Sequence, residues 1–246
     1  MDAQSDPILV LGGTGATGRL LLDQLLERKQ RVRAIVRDRT RLPAHLQDHP
    51  DVEVIEASLL DLTDEELRRH VEGCRGIASC LGHTLSFKGV FGPPYRLVRD
   101  AVRRLSAAAR ATSREEPVRF VLMGSSGVRN HDLQESRPIA EHLVVALIRL
   151  LVPPHADNEQ AAKALRVGVG QDDPAIEWCV VRPDSLIDED TAGPYELAPS
   201  PTRSAIFNAG KVSRIQVAHA MADLLTRDDL WDEWKGRMPV QYGQEA

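Results

Sequence analysis

Seven consecutive residues near the N-terminus, Gly12-Gly13-Thr14-Gly15-Ala16-Thr17-Gly18, have the types and spacing that can cradle a phosphate. Gly13, Gly15 and Gly18 fit G-x-G-x-x-G, while Gly12, Gly15 and Gly18 fit G-x-x-G-x-x-G. Glycine adopts backbone angles closed to other residues and lets the main chain approach a pyrophosphate. The same letters come close to a nucleotide-triphosphate loop, but that loop continues with Lys and Ser or Thr, and here Arg19 and Leu20 follow. Dinucleotide binding is the chemistry expected. A glycine-rich turn without a ligand is the plainer alternative.

A second constellation, Arg37-Asp38-Arg39-Thr40-Arg41, lies about twenty residues further on. An acid there would hold the ribose 2′-hydroxyl of NAD, whereas arginine accommodates the 2′-phosphate of NADP. A guanidinium fork binds phosphate through two parallel bonds, so Arg37 with Arg41 is the expected clamp and NADP(H) is favoured over NAD(H). The alternative is a solvated basic loop in which Asp38 pairs one of the arginines. Ser125 and Ser126, in Gly124-Ser125-Ser126-Gly127, are hydroxyls able to bond a substrate carbonyl or relay a proton, or else simply cap a turn. Ser126 is the expected functional one. His83, His155 and Asp184 are further acid–base candidates, each with an ordinary alternative as a solvated or turn residue.

These residues need elements to position them. Ile8-Leu9-Val10-Leu11 is an apolar run before the glycines, and Leu20, Leu21, Leu22, Leu25 and Leu26 recur at helical spacing after them. The pattern is strand, tight turn, helix. Further strands are expected at residues 31–36, 52–55, 76–81, 118–123 and 176–182. Helices are expected at about 64–72, opened by the capping box Thr63–Glu66, and at 98–111 and 138–151. Pro153-Pro154 should end the last of these, with Asp157 capping another helix through about 167. Ser213–Gln216 is a second capping box, opening a helix along Val217, Met221, Leu224 and Leu225. Residues 191–212 read as a long connection serving as a substrate loop. Alternating strands and helices predict an α/β chain with a single Rossmann-type, doubly wound parallel sheet over residues 1–246 and a small C-terminal substrate-side region. The loop from His83 to Pro94, with Phe87, Lys88 and Phe91, is either one wall of a planar-substrate pocket or packing; Phe207 is a weaker candidate for the opposite wall.

The chain has 246 residues with 36 acidic and 31 basic side chains, a net charge of −5, which predicts no nucleic-acid partner. No apolar run of about 18 residues predicts a membrane span, and the N-terminus lacks signal-peptide character. Three cysteines without metal-ligand spacing predict no metal site and suit a reducing cytoplasm. A small-molecule acceptor is the expected partner, and a homo-oligomer stays open: Trp231 and Trp234 either pack at an interface or seal the core.

The glycine run, the strand end Val32-Arg33-Ala34-Ile35-Val36-Arg37-Asp38 and the segment Trp178-Cys179-Val180-Val181-Arg182-Pro183 together resemble atypical short-chain dehydrogenase/reductases. Within that group the chain is similar to the NAD(P)H-binding branch with biliverdin reductase B (flavin reductase) and NmrA-like proteins. The resemblance runs from about residue 7 to 240. It implies that Thr14, Ala16 and Thr17 line the pyrophosphate, with Arg37 and Arg41 at the 2′-phosphate. It also places Ser58 and Leu59 beside the adenine, with Ser58 where the family usually has an acid. Cys80-Leu81-Gly82 would lie by the nicotinamide ribose and Pro183 by the carboxamide.

Most short-chain reductases use Tyr-x-x-x-Lys. Four residues beyond Tyr95, Tyr195 and Tyr242 stand Arg99, Pro199 and Ala246, so the motif is absent. Lys163 resembles the family lysine, with Glu159 where tyrosine would stand; the two could equally form an ordinary i,i+4 ion pair. Lys163 is thus a candidate for a ribose-hydroxyl contact, and with Ser126 and Ser125 it completes the catalytic set. Three functions are then in play, in descending order: an NADPH-dependent reductase acting on a flavin, quinone or similar conjugated acceptor; a redox sensor that binds NADP without turnover; and an isomerase or dehydratase.

Overall fold

The computed structural model describes residues 6–83, 92–133, 135, 153–204 and 208–244. The expected helix at 138–151, the aromatic loop with Phe87, Lys88 and Phe91, and Phe207 lie outside the described residues.

The apolar runs become strands: β1 (Ile8–Leu11), β2 (Val32–Val36), β3 (Val52–Glu56), β4 (Gly76–Ser79), β5 (Val118–Met123) and β6 (Ile176–Pro183). Four shorter strands follow: β7 (Ser185–Ile187), β8 (Tyr195–Ala198), β9 (Lys211–Ser213) and β10 (Val240–Gly243). The main sheet has the order β3-β2-β1-β4-β5-β6-β10-β8. Its first seven strands are parallel, and β8 closes the edge antiparallel to β10. β7 and β9 pair separately. The helices are α1 (Ala16–Glu27), the short α2 (Ala44–Gln47), α3 (Asp64–Val71), α4 (Leu97–Arg110), α5 (Pro153–Lys163), α6 (Arg214–Thr226) and α7 (Asp228–Trp234).

Period-two alternation sends neighbouring residues of each strand to opposite layers. Leu9, Leu11, Ile77, Phe120 and Trp178 join Leu67 of α3, Val98 and Leu105 of α4 and Ala161 of α5 in one core. Ile8, Val10, Ala78, Val121 and Val181 join Leu21 and Leu25 of α1, Met221 of α6 and Trp231 of α7 in the other. Both faces are covered, which is why the central strands read as continuous apolar runs. Trp231 and Trp234 are buried, so they seal the core.

Both expected capping boxes form, Thr63 with Glu66 and Ser213 with Gln216. Two expectations are corrected. Pro153 and Pro154 lie in the first turn of α5, where a missing N–H costs nothing, so Asp157 does not cap that helix but sits inside it; the helix that the prolines are expected to end lies outside the described residues. The connection at 191–212 is not a plain loop either, because β8 and the start of β9 lie in it. Its strand character comes from residues 240–243, which pair with 195–198 across more than forty positions.

Candidate functional site

The strand order turns back at β1, which pairs with β2 on one side and β4 on the other. In open parallel sheets the crevice at such a point, outside the carboxyl ends of the strands, is where ligands bind. The glycine turn lies there. Gly12 has φ +78°, and a Cβ on it would sit 2.6 Å from the carbonyl carbon and oxygen of Cys80. The amide of Gly15 donates to the Gly12 carbonyl (2.9 Å), closing the turn. A Cβ on Gly18 would stand 2.0 Å from the Gly12 oxygen, so only glycine lets α1 approach the turn this closely. Gly15 and Ala16 are exposed at the head of α1, Thr14 is half-buried, and Thr17 and Gly18 are buried. No side chain caps α1 and its first turn carries no acid. Its leading amides and positive dipole end are thus available to an anion.

At the end of β2 the four charged side chains separate into two kinds. Asp38 accepts from the Thr40 amide (3.0 Å) and the Thr40 hydroxyl (2.5 Å), bonds that hold its carboxyl below the ordinary carboxylate value. Arg39 turns to the Gln47 carbonyl (2.6 Å) and Asp48 (2.9 Å). Arg37 and Arg41 are exposed, and their guanidinium groups make no hydrogen bond or ion pair with the described residues. Beyond β3, Ser58 is half-buried and its carbonyl accepts from the Asp61 amide (2.9 Å). Leu59 sends its side chain into the core, while its carbonyl accepts from Arg104 (2.9 Å).

The exit of β4 carries Cys80, Leu81 and Gly82. The Cys80 amide donates to Leu11 (2.9 Å), and burial pushes its thiol up to about 12. Leu81 packs against the core and Gly82 is exposed. His83 follows, with Nε2 2.9 Å from Asp157 Oδ2; the two side chains are 6% and 0% exposed. Asp157 also accepts from the amides of Val98 (2.8 Å) and Arg99 (3.0 Å), in the first turn of α4. One carboxylate therefore ties the exit of β4, the start of α4 and the body of α5. The sequence pointed to both residues but not to their pairing, because 74 positions separate them.

Ser125 and Ser126 leave β5 in different directions. Ser126 is 8% exposed; its amide donates to the Pro183 carbonyl (2.9 Å) and its hydroxyl to Asp184 Oδ1 (3.3 Å). Asp184 also accepts from the amides of Ser185 (2.9 Å) and Gly210 (2.7 Å), so it fastens the chain after β6 to the approach to β9. Ser125 is half-buried. A Cβ on Gly127 would lie 3.4 Å from Ser125 Oγ and 3.1 Å from His155 Cε1, which puts that hydroxyl and that imidazole on one side of the turn. His155 Nε2 is 3.5 Å from Glu159 Oε1. Lys163 is exposed and lines a different cleft, between α4 and α5, to which no residue of Gly12–Gly18, Cys80–Gly82 or Ser125–Ser126 contributes.

One buried pair had no sequence signal. Arg182 and Glu135, both fully buried, meet at 2.7 Å, and Arg182 also donates to the carbonyls of Met238 (2.6 Å) and Val128 (2.8 Å). Among the described residues no cluster of His, Cys, Asp and Glu could hold a metal, and no helix is long and apolar enough to cross a membrane.

The reversal at β1 and the glycine turn above an uncapped helix define a Rossmann-type dinucleotide-binding protein. A sequence model of the NAD(P)H-binding family matches residues 12–228, and the chain belongs to that family. It is 26% identical over 205 residues to a Synechocystis protein named "Putative dihydroflavonol 4-reductase", covering 83% of this chain and 55% of that one. The chain thus spans about half the length of that relative. A Veillonella parvula short-chain dehydrogenase/reductase in complex with NADP shares the fold with a TM-score of 0.68 at 20% identity, covering 96% of this chain and 94% of that one. The anaerobilin reductase ChuY of Escherichia coli O157:H7 gives 0.66 at 17% identity, covering 98% of each. At these identities the likeness concerns the fold.

Proposed function

We propose that the protein is an NADPH-dependent reductase that passes a hydride to a conjugated small-molecule acceptor such as a flavin, quinone or carbonyl compound. The observation that carries the cofactor preference is the sorting of charges after β2. Asp38, which could hold a 2′-hydroxyl, is engaged by Thr40, while Arg37 and Arg41 remain available to a 2′-phosphate. The pyrophosphate fits the head of α1, where Ala16, Thr17 and Gly18 present backbone amides without a competing cap and Thr14 borders them, the Gly15 amide being held by Gly12. Gly12 keeps that turn against Cys80; Ser58 and Leu59 border the adenine side, and Cys80, Leu81, Gly82 and Pro183 the nicotinamide side.

A bound reduced nicotinamide supplies the hydride, so the protein's own work is to orient the acceptor and to provide a proton. Ser125 is the hydroxyl assigned to the acceptor, because Ser126 is spent on Asp184. His83, fixed by Asp157, is the assigned proton donor. An acceptor with a delocalised electron sink tolerates the missing Tyr-x-x-x-Lys. The three free cysteines suit work in a reducing cytoplasm. The test is NADPH oxidation against a panel of flavins, quinones and conjugated carbonyls. Loss of NADPH that needs both protein and acceptor supports the reductase. Tight NADPH binding without such loss overturns it in favour of a sensor.

A further inference from the structure

The cleft that contains Lys163 has a volume of about 1110 Å³ and follows the outer face of α4 toward α5 and the π-helical turn at Ala164–Val169. The net charge of the chain is −5, yet among the described residues this cleft is lined by Arg99, Arg103, Arg110, Arg129, Lys163 and Arg166 against one carboxylate, Glu159. Three of these cations are neutralised locally: Arg99 by Asp100 (2.6 Å), Arg110 by Asp173 (2.7 Å) and Arg166 by Asp132. Glu159 is turned to His155. Arg103, Arg129 and Lys163 make no hydrogen bond or ion pair with the described residues. The excess of positive charge is therefore concentrated on three side chains from three different segments.

A second observation points into the same space. Ser106, one turn after Arg103 on α4, is 4% exposed, lines the cleft, and its hydroxyl has no partner among the described residues. The Nε of Arg129 is likewise buried without a partner among the described residues. Buried polar groups are normally satisfied, so an unpaired hydroxyl beside uncompensated cations marks a place for an acceptor from outside the chain. Val128, Ala162, Val169 and Met238 supply an apolar lining between these groups.

We propose that this cleft is a second binding site, for a small organic anion with an apolar body. Its phosphate or carboxylate lies among Arg103, Arg129 and Lys163 and accepts from the Ser106 hydroxyl, and its body rests on Val128, Ala162 and Met238. The cleft shares no residue with the glycine turn, and neither Ser125 nor Ser126 lines it, so the site stands apart from the cofactor site and does not depend on the reductase reading.

The test measures binding without turnover. With NADP+ saturating, flavin mononucleotide and riboflavin are titrated by fluorescence quenching; they share the ring system and differ in the phosphate. Flavin mononucleotide is expected to bind at least about tenfold more tightly, with an advantage that shrinks as salt is raised. Arg103→Glu, an exposed change, should bring it to the riboflavin level, and Ser106→Ala should weaken it less. NADP+ affinity, titrated separately, should stay unchanged in both variants. Displacement of the nucleotide by naphthalene-2-carboxylate but not by the carboxamide extends the site to carboxylates; displacement by phosphate monoesters alone restricts it to phosphates. Equal binding of the two flavins, or no effect of Arg103→Glu, overturns the proposal.

Discussion

Removing the Asp157 carboxylate tests the reasoning about the site most directly. In Asp157→Ala, three donors lose their acceptor at once: His83 Nε2 and the amides of Val98 and Arg99. The helix-capping part alone is worth about 0.5–2 kcal/mol. Each buried donor left without its acceptor costs about 1–3 kcal/mol, so losing three bonds at once costs about 3–5 kcal/mol after local relaxation. The side chain is 0% exposed, so water cannot take its place without local opening, and the upper range applies. For a chain of this size each kcal/mol lowers the melting temperature by about 2–4 °C, which predicts a fall of roughly 6–20 °C. His83→Ala leaves both amides bonded and should cost only about 1–3 kcal/mol. Thermal unfolding followed by circular dichroism measures both. If Asp157→Ala melts within about 3 °C of the parent, this carboxylate does not hold β4, α4 and α5 together, and His83 loses its assigned anchor.

Arg37→Ala with Arg41→Ala should weaken NADPH at least about tenfold while leaving NADH within about twofold, since each charge-assisted bond is worth about 1.5–3 kcal/mol; equal losses in a fluorescence titration refute the clamp. Gly18→Ala drives a Cβ into the Gly12 carbonyl, so the gain of about 1 kcal/mol from alanine's helix propensity should be outweighed by strain and NADPH binding lost; Gly168→Ala, which meets nothing within 4 Å, is the control in the same urea titration. Ser125→Ala should lower turnover and Ser126→Ala chiefly stability, by about 1 kcal/mol; the reverse pattern in steady-state kinetics would exchange their roles. Burial pushes the Cys74 thiol up to about 11 and the Cys80 thiol to about 12, so both should resist alkylation at pH 8 until the chain is unfolded. Because these thiols stay protonated in the fold above the pH at which unfolded cysteine ionises, the unfolded state binds fewer protons, and stability should fall as pH rises past about 9. A flat stability profile from pH 8 to 10 counts against this.

Local sequence determined whatever is carried within a few positions. The glycine run before a leucine-rich helix, the two capping boxes, and apolar runs buried on both faces all depend on contacts or backbone angles set over one turn or one strand. Parallel sheets also have a strong sequence signature, because their strands are apolar throughout, so the doubly wound architecture was legible. Tertiary structure alone decided which charged side chains remain available. Arg37, Arg39 and Arg41 look alike as letters, and the turn after β2 sorts them by giving Arg39 to Asp48 while Asp38 goes to Thr40. The pairing of His83 with Asp157 and of Arg182 with Glu135 joins residues 74 and 47 positions apart. Such bonds leave no periodic trace, because a buried carboxylate is fixed by individual partners at single distances and not by a pattern along the chain. For the same reason the sequence grouped Lys163 with the serines, whereas the turn of α5 carries it to the basic cleft between α4 and α5.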